Sequence, residues 1–145
     1  PPCSFSRQED ARFTGIETEL LTDLTVNWQL RLWGDLVDAR LEDSGDVPRM
    51  PPARLGVNLD YSWDIWSAGL TFTHAFDQDN PGENETATDG YQRIDAQVGV
   101  SKDRWMLFVQ GKNLTDEEIR NATSFLRDLA PEAGRAIVVG ARYSF

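Results

Sequence analysis

The last eleven residues, Arg135 to Phe145, alternate at period two. Ile137, Val139, Ala141, Tyr143 and Phe145 fall on one face, and Ala136, Val138, Gly140, Arg142 and Ser144 on the other. Ending a polypeptide on an aromatic, with a second aromatic two residues earlier on the same face, suits a soluble chain poorly, because termini in water tend to fray. It suits a transmembrane β-barrel, whose outer face meets lipid and whose aromatics sit at the lipid–water boundary.

The same period recurs upstream, and the sequence predicts strands at roughly 12–20, 25–37, 53–63, 66–76, 91–100, 104–113 and 135–145. Val26, Trp28, Leu30, Leu32 and Leu36 form one stripe; Leu55, Val57, Leu59, Tyr61 and Trp63 form the next. Trp66, Ala68, Leu70, Phe72 and Phe76 continue it, then Ile94, Ala96, Val98 and Val100, then Trp105, Leu107 and Val109. The first segment is weakest, with Ile16 and Leu20 opposite Glu17 and Glu19. Short turns at 21–24, 64–65 and 101–103 alternate with long polar connections at 38–52, 77–90 and 114–134. That rhythm matches short periplasmic turns and long extracellular loops. The expected fold is all-β: about seven antiparallel up-and-down strands forming the C-terminal part of a transmembrane β-barrel.

Placing the C-terminus in the periplasm sets the direction of every strand. Trp28, Tyr61, Trp63, Trp66, Trp105, Tyr143 and Phe145 then all lie near the periplasmic end of the apolar face. The directions follow from the position of the C-terminus alone, so the gathering of the aromatics at one level is independent of them. A soluble β-sandwich acting as a secreted binding module would also alternate, burying the stripes as a core. It would not gather aromatics at one level, nor keep the short–long rhythm.

Composition excludes other classes. A net charge of -10 argues against nucleic-acid binding, which needs a basic face. No apolar run is long enough for a membrane helix, and the mean hydropathy of -0.46 is what alternating barrel strands produce. The single cysteine, Cys3, excludes an internal disulfide. The opening Pro1-Pro2-Cys3-Ser4 has no signal-peptide character. An odd strand count also leaves the chain starting on the extracellular side, so strands and other domains are expected upstream.

Few residues suggest chemistry. His74 is the sole histidine, which argues against histidine-paired metal sites and hydrolytic triads; an interfacial side chain is its expected role. A barrel lipase would need a serine beside it, where Thr73 stands. The acidic loop from Asp77 to Asp89 fails as an EF-hand at Pro81 and Thr88. Thr115-Asp-Glu-Glu118 has the form of a helix-capping box, predicting a helical turn. Asn84, Asn113 and Asn121 begin glycosylation sequons, coincidental in a bacterial protein. Glu17, Glu19, Arg31, Asp35, Arg54, Asp60, Arg93, Asp95, Lys112 and Arg142 form a mixed charged wall on the inner face, paired across strands or holding another domain.

Gly111-Lys-Asn-Leu-Thr-Asp116, Ala130-Pro-Glu-Ala-Gly-Arg135 and Tyr143-Ser-Phe145 resemble the C-terminal end of TonB-dependent outer-membrane receptors. Asp10 to Glu17, Pro48 to Arg54 and Asn84 to Tyr91 fit the same family in order. The run Arg120 to Pro131 further resembles the branch that includes zinc-uptake receptors, although that branch often carries a histidine where Ala122 stands here. The resemblance implies a bacterial outer-membrane receptor, not an enzyme, importing a metal ion, metal chelate or haem with energy from the TonB system. It implies no cofactor. Its partners would be outer-membrane lipid, the upstream barrel strands, a plug domain carrying the coupling segment (TonB box) to the TonB complex, and the barrel-assembly machinery, which reads the terminal Tyr143 and Phe145.

Overall fold

A computed structural model describes residues 10–42, 45–82, 85–126 and 128–145. Eight strands occur among them: β1 (Ala11–Asp23), β2 (Trp28–Leu41), β3 (Gly45–Asp46), β4 (Arg54–Trp63), β5 (Trp66–Ala75), β6 (Tyr91–Lys102), β7 (Trp105–Lys112) and β8 (Ala136–Tyr143). They form one antiparallel meander in the order β1-β2-β4-β5-β6-β7-β8, with the two-residue β3 added to β2. All seven expected strands are present. Cys3 and Asn84 lie outside the described residues.

Two boundaries differ from the sequence reading. The first turn lies at 24–27 rather than 21–24, and Val26, assigned to the apolar stripe, sits in it at 98% exposure. The Thr25 hydroxyl accepts from the backbone N–H groups of Asn27 and Trp28, both at 3.2 Å, closing a local turn that two-residue periodicity cannot detect. At its other end β2 runs to Leu41, because Asp38 to Leu41 pair with Thr14 to Ala11 of β1, and Arg40 and Leu41 pair also with Asp46 and Gly45 of β3. The other short turns place Asp64 and Asp103 at φ of 52° and 54°, a conformation that aspartate tolerates.

Register aligns the apolar stripes across the sheet. Leu20, Leu32, Val57, Phe72 and Ile94 are cross-strand neighbours in one row; Leu30, Leu59, Leu70 and Ala96 form the next. Nothing covers them. Among the described residues only Ala39, Ala75, Ile119 and Ala122 are buried apolar residues, and none of these belongs to those rows. The chain exposes 10845 Å², whereas a folded soluble protein of 16.4 kDa exposes about 7,500 Å². The sandwich alternative requires a second packed layer, and the described residues form a single sheet.

The isolated chain should therefore fail to stay monomeric in plain buffer, since its apolar face and both edge strands lack partners. Size-exclusion chromatography should show aggregation without detergent. A monodisperse monomer with sharp thermal unfolding would contradict the membrane assignment of that face.

Candidate functional site: the barrel wall and its loop cap

The aromatics of the apolar face meet in cross-strand pairs. Trp28 lies against Tyr61 with ring centroids 4.6 Å apart, Trp63 is the register partner of Trp66, and Trp105 lies against Tyr143 at 4.8 Å. Phe145 stands edge-on to Tyr143 at 5.2 Å. These pairs do not share one hydrogen-bonded row. From Trp28–Tyr61 to Trp105–Tyr143 the level moves four residues along the strands while crossing four strands. One residue of stagger per strand, at about 3.3 Å rise and 4.8 Å spacing, corresponds to a strand tilt of about 35°, within the range of closed barrels. Aromatics at a constant membrane depth must climb the rows in this way.

The opposite face is polar and internally bonded, and it carries every charged residue expected on the wall. The Arg31 guanidinium donates to Glu19 at 2.6 Å and Arg54 to Asp35 at 2.8 Å, both across strands; Arg93 sits 3.1 Å from Asp95 on its own strand. Arg54 also lies 5.9 Å from the Trp33 ring centroid. Trp33 Nε1 donates to Asn58 Oδ1, and Asn58 Nδ2 donates to Thr71 at 2.7 Å. Glu17, Asp60, Lys112 and Arg142 share this face without a bonded partner among the described residues.

Large apolar side chains on this polar face were not singled out by the sequence reading. Trp33 lies across Gly56, and Phe108 across Gly140; in each case a Cβ on the glycine would clash with atoms of the ring. The glycine opposite each aromatic is the signal, but it is legible only once the register is known.

Beyond the far ends of the strands, the three long connections are fastened together. Gln78 Nε2 donates to the carbonyls of Met50 and Pro51 at 3.0 and 3.3 Å. Glu85 accepts from the Arg49 and Gly82 backbone N–H groups at 2.9 and 3.2 Å. The Arg49 guanidinium stacks 3.9 Å from the Phe125 ring centroid, and the Thr86 hydroxyl donates to Asp128 at 2.8 Å. Ile119 and Ala122 are buried at 2% and 3% exposure within the third connection. Two acids of the 77–89 loop thus serve as backbone acceptors, Asp77 taking the Gly90 N–H at 2.6 Å.

The expected helical turn at Thr115 is absent. Asn113, not Thr115, organises this segment: its Oδ1 accepts from the Glu117 N–H at 3.1 Å while its Nδ2 donates to the Glu117 carbonyl at 2.9 Å. The Thr115 hydroxyl donates backward to the Gln92 carbonyl at 3.0 Å. Asn113 and Asp116 adopt φ of 48° and 57°, incompatible with a helix, and Asp116 accepts from the Arg135 N–H at 3.0 Å at the start of β8. The Gly111–Asp116 motif is therefore a structural clasp. Asn113 is 3% exposed, so its sequon is out of reach of modification in the folded chain.

His74 lies on the apolar face, edge-on to Phe76 at 4.5 Å, with Leu55 and Gln92 as its register partners. No group of three or more His, Cys, Asp or Glu side chains placed to hold a metal occurs among the described residues. Ala122 has no ligating atom.

A single sheet with one lipid-compatible face, one bonded polar face and loops gathered at one end defines a section of an outer-membrane barrel wall. The TonB dependent receptor-like β-barrel family matches residues 2–114. Among solved structures, the chain is similar to the copper transporter OprC, with a TM-score of 0.88 at 20% identity over 94% of this chain and 24% of that one. The chain belongs to the TonB-dependent receptors, as part of their β-barrel in the bacterial outer membrane. It spans about a quarter of that structure's length. TonB-dependent receptors are not enzymes.

Proposed function

We propose that this chain is the C-terminal barrel wall, with three of the surface loops, of a receptor that imports a scarce nutrient with energy from the TonB system. Upstream strands and a plug domain would complete it, and contact with the TonB complex would run through the plug. The observation that carries this reading is the division of one sheet between an uncovered apolar face and a face of paired charges, Glu19 with Arg31 and Asp35 with Arg54. Such pairs are worth little as stability when solvated, but they keep a wall polar and firm against a domain or solute inside it. Trp28, Tyr61, Trp63, Trp66, Trp105, Tyr143 and Phe145 would anchor the wall at the periplasmic boundary. Tyr143 and Phe145 would also be read by the barrel-assembly machinery.

The nutrient class we propose is a metal ion, a metal chelate or haem. Copper is the first ion to test, because the similar transporter OprC carries it in its name. Cells lacking the full-length receptor should be starved of copper, zinc, iron or haem in turn and complemented with the intact gene. Accumulation of one of these, read by elemental mass spectrometry, should return only when TonB is functional. Import that persists without TonB would overturn the energy source; no restored import of any of the four would overturn the nutrient class.

A further inference from the structure

On the apolar face of β5 to β8, Trp66, Val98, Val100, Leu107, Val139 and Ala141 line a depression of about 510 Å³. It exists because valine and alanine occupy three neighbouring strands beside a tryptophan, leaving a trough where larger side chains would make a level surface. Lys102 lies two residues below Val100 on the same face, opposite Trp105 in register. From Val98 at the top of the trough to Lys102 is four residues, roughly 13 Å along the strand.

The charge below the trough is distinctive. The chain carries a net charge of -10, and the other short turns, at 24–27 and 64–65, contain no Lys or Arg. The turn beneath the trough is Asp103-Arg104, preceded by Lys102, and neither cation has an ion-pair partner among the described residues. Trp105 and Tyr143, with an indole N–H and a phenol, flank the same level.

We propose that this trough with its cations is a binding site for an anionic phospholipid of the periplasmic leaflet. One acyl chain would lie along Val98, Val100 and Ala141, and the headgroup phosphate would meet Lys102 and Arg104. Lipid that merely surrounds a barrel needs neither a trough nor a cation; this place supplies both. The proposal rests on the outer-membrane barrel and not on what the receptor imports, so it stands or falls separately from the transport reading.

The test is native mass spectrometry of the full-length receptor in detergent, titrated with phosphatidylglycerol. Lys102→Gln with Arg104→Gln removes the charge, Ala141→Phe fills the trough, and Val57→Phe, elsewhere on the apolar face, is the control. The double charge variant and the filled variant should each retain lipid roughly tenfold less well, with the control unchanged. Heat-modifiable migration of all three on gels checks that the barrel is intact. Wild-type retention in either trough variant, or an equal loss in Val57→Phe, would overturn the site.

Discussion

Deleting Phe145 from the full-length receptor should remove most of it from the outer membrane while leaving the affinity of the surviving receptors unchanged. The residue sits at the end of a pinned strand: the Ser144 N–H donates to the Arg104 carbonyl at 2.9 Å, so the ladder continues past Tyr143. Its ring stands edge-on to Tyr143, which itself packs on Trp105. Nothing in the chain depends on Phe145 for burial. On the proposed reading, its value would lie in what it offers to lipid and to the assembly machinery. Transferring one such ring out of water contributes about 1.5–3 kcal/mol, which weakens a step that uses it by roughly ten- to a hundred-fold when it is lost. Deleting the exposed loop residue Ala133 is the comparison, because no strand ladder passes through it. Receptor in outer-membrane fractions should fall for the first deletion and hold for the second. Normal receptor levels with weakened binding would instead give the last strand a role in ligand capture.

Replacing Leu70 or Val98 with arginine should destabilise the receptor by about 2–4 kcal/mol, the cost of a cation on the lipid face near mid-membrane. The depth follows from the proposed anchoring of the aromatics at the periplasmic boundary. Leu70 lies four residues above Trp66, roughly 13 Å along the strand and about 11 Å in depth at a 35° tilt, close to half of the apolar band of about 25 Å. Both side chains are half exposed, at 48% and 51%, so the charge would meet lipid rather than neighbours. Gln97, next to Val98 in sequence, projects to the polar face, and Gln97→Arg should cost clearly less. Thr71 is a less clean comparison because its hydroxyl accepts from Asn58. Urea unfolding of the receptor in bilayers reads the difference. Equal costs on the two faces would show that this inside–outside assignment is wrong.

The long strands were legible in the sequence because their signal is local. A side chain's face depends only on whether its number is odd or even, and lipid on one side imposes that parity on every strand. The strand ends were less legible where side-chain hydrogen bonds decide. Thr25 closes a turn that leaves Val26 exposed, and Asn113, at positive φ, prevents the helix that Thr115-Asp-Glu-Glu118 would otherwise begin.

What the sequence determined by itself is the alternation, the apolar and polar stripes, and which aromatics share the apolar face. All of these follow from residue type at a period of two. Only the tertiary structure decided the register, because register depends on which residues of separate strands meet. Register produces the one-residue stagger of the girdle, the laying of Trp33 over Gly56 and Phe108 over Gly140, the joining of three loops through Arg49, Glu85 and Gln78, and the trough above Lys102. Each is a contact between residues distant in sequence, and no one-dimensional pattern specifies the spacing between them.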